Sequence, residues 1–159
     1  MTYNNGTLIK VHRYWRWYQP VSYLSVLIRL FTKSYWNHTA VGVVLGDTRL
    51  VHCVLDANQN GVVLEPWDIW VKKYGSKKYE ITPSNKEINE SDLLKYVGRG
   101  YDFLSVFIWQ PIYILTGKWL GKTGIDASDK TYCTEIYSFV HGLKDPERIT
   151  TGDLERMGL

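Results

Sequence analysis

The chain has 159 residues, 45% of them apolar and 22% charged, with a formal net charge of +3. That length supports one domain, residues 1–159, with its own core, and the balance argues against disorder. The basic residues are scattered, with Lys72–Lys73 and Lys77–Lys78 the nearest thing to a patch, so no nucleic-acid partner is expected.

In chain order, Met1 to Gly6 has no basic region leading into an apolar run. No secretory signal is therefore expected, and the chain is expected to be cytoplasmic as synthesised, with delivery elsewhere left to another factor. No apolar run reaches the length of a spanning helix. Leu8 to Arg13 reads as a short strand. The aromatic, basic stretch Tyr14 to Gln19 follows, and its rings suit either a ligand groove or one end of the core. Pro20 suits the first turn of a helix running to about Lys33, with Tyr23, Leu24, Leu27, Leu30 and Phe31 on its apolar side. Arg16, Arg29 and Lys33 would suit an interfacial helix, but so few charges favour packing against a sheet.

The clearest strands come next. Thr39 to Leu45 is β-branched and apolar, Gly46-Asp47-Thr48 is a turn, and Arg49 to Leu55 runs back. A second turn, Asp56 to Gly61, leads to Val62-Val63-Leu64-Glu65, which stops at Pro66. Trp67 to Tyr74 is expected to be a short helix and Lys77 to Ile81 a further strand. Asn89 is placed as the N-cap of a helix through Val97 that ends at Gly98. The apolar segment Phe103 to Leu115 must be broken or kinked by Pro111, and Asp102 is positioned to cap its start. Gly117 to Lys130 reads as a loop, and a last short helix starts at Thr151.

The loop delivers the chain to Thr131-Tyr132-Cys133-Thr134-Glu135-Ile136-Tyr137. Cys133, Ile136, Tyr137 and Val140 recur at helical spacing, and Gly142 follows where a glycine cap belongs. With Thr131 as N-cap, or Asp129 as its rival, Cys133 lies in the first turn. Unpaired N–H groups and the helix dipole there favour a thiolate. Across a turn centred near Asp47, His38 and His52 are expected to be cross-strand neighbours facing this helix. His38, beside a strand end, is the candidate base, and His52, held within its strand, the candidate orienter. By alternation Cys53 faces away from His52 and is structural, which also argues against a metal built from His38, His52, Cys53 and Cys133. No metal or cofactor is expected, and nothing local pairs the two cysteines. Glu135, off the line of Cys133, is not expected to touch the thiol and is free to hold a substrate amine or a loop.

Trp36 to Gly42, the strand to His52, Gly61 to Pro66, Gly100 to Phe103, Tyr132 to Glu135 and Thr150 to Leu154, taken in that order, resemble circularly permuted NlpC/P60-like cysteine hydrolases. These are papain-fold proteins of the YiiX/YebB-like group, related to the lecithin retinol acyltransferase-like enzymes. The resemblance implies an α+β fold in which the cysteine helix packs across a central antiparallel sheet. It also implies Cys133 as nucleophile, His38 as base and a polar residue in the role given to His52. The insert from Pro111 to Asp129 has no counterpart in it.

The expected chemistry is attack of the Cys133 thiolate on a carbonyl, forming a thioacyl intermediate. The Cys133 N–H would hold the oxyanion, with a second donor near Tyr35–Asn37 or Tyr14–Tyr18. The expected function is cleavage of an amide bond in peptidoglycan peptide or a related peptide, with acyl-lipid hydrolysis or acyl transfer as the alternative. A third reading is a binding or structural protein that keeps the fold. An open cleft lined by Trp15, Trp17 and Tyr18, with Trp36 and Glu135, would favour peptide. A narrow apolar tunnel beside the helix of residues 21–31 would favour lipid.

Overall fold

Alternation along the central strands decides how the layers form. The structure, a computed structural model, describes residues 3–12, 20–46, 48–74, 78–123 and 129–159. Five strands make one antiparallel sheet: β1 (Thr7–His12), β2 (His38–Leu45), β3 (Val51–Asn58), β4 (Gly61–Pro66) and β5 (Lys78–Thr82), in the order β4-β3-β2-β1-β5. Around it lie α1 (Pro20–Thr32), α2 (Trp67–Tyr74), α3 (Glu90–Leu94), α4 (Gln110–Thr116), α5 (Cys133–Val140) and α6 (Thr151–Arg156). A two-residue strand β6 (Gly100–Tyr101) pairs in parallel with β7 (Lys130–Thr131), just ahead of α5.

Leu8, Val41, Val43, Cys53 and Leu55 point to one side of the sheet and pack with Cys133, Ile136 and Tyr137 of α5. Ile9, Val11, Ala40 and Val54 point to the other side and pack with Trp70 and Tyr74 of α2. Two faces are thus buried by period-two alternation, and each fully buried aliphatic side chain contributes about 1.5–3 kcal/mol. The result is a mixed α/β fold around an antiparallel sheet, with the Cys133 helix against the middle of one face.

Helix α5 is closed at both ends. Tyr132, in extended conformation, is its N-cap in place of Thr131, which lies one residue earlier in β7. Cys133 is therefore the first residue of the helix. At the other end Gly142 has φ +64°, its N–H bonds Phe139 O, and Leu143 N–H bonds Ser138 O. That pair of bonds is a Schellman closure, which a glycine in the left-handed region permits without strain.

Three expectations change. First, β3 does not end at Leu55 but runs to Asn58, and the connection to β4 is the two-residue turn Gln59–Asn60. Asn58 Oδ1 accepts from Asn60 N–H there. Second, Pro111 does not break its helix. The five residues ahead of α4, Ser105–Trp109, form a π-helical turn that absorbs the missing N–H, and Asp102 caps the segment by accepting from Ser105 N–H at 3.0 Å. Third, α1 makes its main packing against α4 and α6 rather than the sheet. A Cβ at Gly152 would sit 2.1 Å from Thr32 O, so only glycine allows α6 to approach the end of α1 so closely.

Candidate active site

The site forms where the two layers meet at one end of the sheet. Cys133 opens α5 on one face, and His38 is the first residue of β2. The imidazole of His38 and the backbone of Thr39 lie beside the Cys133 thiol, and both favour its thiolate. Burial raises the thiol pKa, but the neighbouring His38 and Thr39 outweigh it, and the net shift is below the ordinary value of 9.0.

On its other side His38 Nε2 lies 2.5 Å from Asp56 Oδ1, with both groups buried. Asp56 is held in turn. Tyr74 of α2 donates its hydroxyl to Asp56 Oδ2 at 2.7 Å, its ring stacks on that of His38, and Asn58 Nδ2 approaches Oδ2 at 3.4 Å. A buried carboxylate is tolerated only with partners of this kind. The chain Cys133–His38–Asp56–Tyr74 links α5, β2, β3 and α2 in one line of polar contacts. Such a line can take a proton from a thiol, keep the imidazole in one tautomer and stabilise the imidazolium.

His52 does not take the orienting place. The pairs Val41–Leu55 and Val44–His52 share a midpoint at residue 48, so His52 stands opposite Val44, near the far end of β2 from His38. Its half-buried ring packs edge-on against Tyr3, with centroids 4.8 Å apart. Asp56 is not singled out by the sequence, because Asp56 to Gly61 reads as a turn, whereas it lies within β3. The signal for it is Asn60-Gly61, which marks a tight hairpin that lets β3 run past Asp56.

Cys53 lies in the core with its thiol pKa raised by burial, as alternation required. Glu135 is buried. Its carboxylate accepts from Thr131 Oγ1 at 2.8 Å and Tyr132 N–H at 3.3 Å, tying β7 to the head of α5. Trp36 packs beside Lys10 and Tyr35 and lines none of the hollows around Cys133. Trp15, Trp17 and Tyr18 lie outside the described residues.

Three linked hollows meet at Ile28 of α1. One of about 80 Å³ is bounded by Ser25, Asn37, His38, Tyr101 and Phe107. A second, about 10 Å³, touches Asn37, Gln110 and Cys133. The third, about 140 Å³, runs between Leu27 and Phe31 of α1 and Val106, Pro111 and Ile114 of the facing helical segment. The third is a groove lined mainly by apolar side chains, the first is half polar with Asn58 and Gln59 also on its wall, and the one beside the thiol has room for about one water. A larger, more polar hollow near Asn4 and Lys86 shares no lining residue with them.

The sequence matches no model of a known protein family, and no curated protein is similar enough to be counted a relative.

Proposed function

We propose that this protein is a cysteine hydrolase or acyltransferase of the permuted papain-like kind, acting on a substrate that carries an apolar acyl chain. The single observation that carries the reading is that His38, whose imidazole favours the Cys133 thiolate, is itself held by the buried Asp56 carboxylate. With Nε2 taken by Asp56, Nδ1 is the nitrogen left for the thiol. His38 takes the thiol proton, Sγ adds to an ester or amide carbonyl, and the oxyanion is held by the Cys133 N–H. Asn37, which lines both hollows beside His38 and Cys133, supplies the second donor. His38 then protonates the departing oxygen or nitrogen, leaving a thioester that water or an acceptor hydroxyl cleaves.

The acyl reading is preferred to a peptidoglycan peptide because the hollow between α1 and the facing helical segment, which shares Ile28 with those beside His38 and Cys133, is lined mainly by apolar side chains. A peptide would leave its backbone N–H and C=O groups unpaired against such walls.

The test combines labelling and turnover. Iodoacetamide should modify Cys133 well before Cys53, and His38→Ala should remove that preference. Nitrophenyl esters should be hydrolysed faster as the acyl chain lengthens, while peptidoglycan peptides should be poor substrates. Equal labelling of the two cysteines would overturn the hydrolase reading. Preference for the peptides would overturn the acyl assignment alone.

A further inference from the structure

The groove is flanked by two helical segments whose outer sides are apolar. On α1, Leu27 and Leu30 are exposed, the latter 68%. On the facing segment Leu104, Ile108 and Leu115 recur at spacings of four and seven and form an outward stripe, with Leu115 75% exposed. Leu27 and Ile114 are exposed and at the same time line the groove, so these stripes border its mouth. Scattered exposed leucines need no explanation, but stripes on adjacent helices at a groove mouth do.

The charges carried by the two sequence stretches that hold these stripes are of one sign. No Asp or Glu occurs between Pro20 and Gly46, nor between Phe103 and Thr123, whereas Arg29, Lys33, Lys118 and Lys122 all fall there. The acids nearby are Asp102, which caps Ser105, Glu155, which accepts from Ser34 Oγ, and Asp129, which shares a hollow with Leu104 and Lys122. No helix among the described residues is long and apolar enough to cross a membrane. Apolar stripes accompanied by the exposed Lys33, Lys118 and Lys122, on helices too short to span, suit the interface of an anionic bilayer, where leucines enter the acyl boundary and the cations meet headgroup phosphates.

We infer that α1 and the segment from Phe103 to Leu120 form a docking face for the surface of an anionic lipid membrane, with the groove mouth opening onto it. The face does not depend on the hydrolase reading, since it is built from residues outside the Cys133–His38–Asp56 line.

The experiment is flotation of the full chain with vesicles of phosphatidylcholine alone and of equal parts phosphatidylcholine and phosphatidylglycerol. The protein should float with the mixed vesicles and less with the neutral ones, and high salt should reduce the difference. Leu30→Glu with Leu115→Glu should weaken binding by about tenfold or more while leaving the circular dichroism spectrum unchanged, because both side chains are exposed. Lys118→Glu with Lys122→Glu should remove the preference for phosphatidylglycerol and provides a second reading if the leucine variant misfolds. Cys133→Ala should bind like the native chain. Failure of the native chain to float, or undiminished binding by a folded leucine variant, would overturn the inference. So would a sedimenting dimer that the leucine changes dissolve without any vesicle binding, which would assign the face to a second copy. Vesicle binding without turnover would leave the docking face intact and remove only the proposed activity.

Discussion

Asp56 Oδ1 sits 2.5 Å from His38 Nε2, and Tyr74 grips the opposite oxygen of the same carboxylate at 2.7 Å. The two contacts hold the carboxylate plane from both sides, so the imidazole has one orientation in which to meet Cys133. If this line of contacts is the working machinery, each member has a distinct signature on substitution.

Asp56→Asn keeps the shape but offers the wrong hydrogen-bonding partner to Nε2. kcat on an acyl ester should fall by about 10²–10⁴, as when the acid of a comparable triad is replaced by its amide. His52→Ala should leave kcat unchanged, since its ring touches Tyr3 and stands opposite Val44. Steady-state kinetics of the two variants side by side decide between the two orienting residues.

Tyr74→Phe removes one donor to a buried carboxylate and keeps the ring that stacks on His38. The unfolding free energy should drop by about 1–3 kcal/mol in a urea titration. kcat should fall by about tenfold at unchanged KM, because Tyr74 positions Asp56 and touches no substrate. A purely structural role would lower stability and leave kcat alone.

Glu135 makes stability depend on pH. Burial pushes its carboxyl up to about 7; the bonds from Thr131 and Tyr132 pull it down, and the charges of Asp102 and Glu147 add to the rise. The folded state therefore binds a proton more tightly than the unfolded chain, whose carboxyl titrates near 4.5. Stability should be greatest below that value and should fall as pH rises through about 7, by a few kcal/mol at most. Glu135→Gln should flatten this dependence. Thermal midpoints of both proteins from pH 5 to pH 8 test it, and parallel curves would refute the assignment.

Ile28 borders all three hollows, so Ile28→Trp should fill the groove. Long-chain esters should lose about tenfold or more in kcat/KM, while acetyl esters change little, since each methylene excluded from an apolar site costs about 0.8 kcal/mol. An equal loss for both would place the acyl chain elsewhere.

The sequence alone determined the features that depend on near neighbours. The stripe from Cys133 to Val140 and Gly142 behind it specified a capped helix with a cysteine in its first turn. The β-branched runs specified the central strands, and the alternation of His52 and Cys53 put the latter in the core. These follow from periodicity and backbone sterics within a few residues.

What depends on register or on distant packing was settled only by the tertiary structure. A few residues' difference in where β3 ends moved Asp56 from a turn to the partner of His38 and left His52 at the far end of the strand. The apolar side of α1 was legible, but what it packs against was not. The close approach of Gly152 to Thr32, a contact across 120 positions, turns α1 toward α4 and α6 and leaves its leucines outside. Hydrophobic periodicity says that a face is apolar; only the assembled layers decide which faces find a partner, and so where a groove remains.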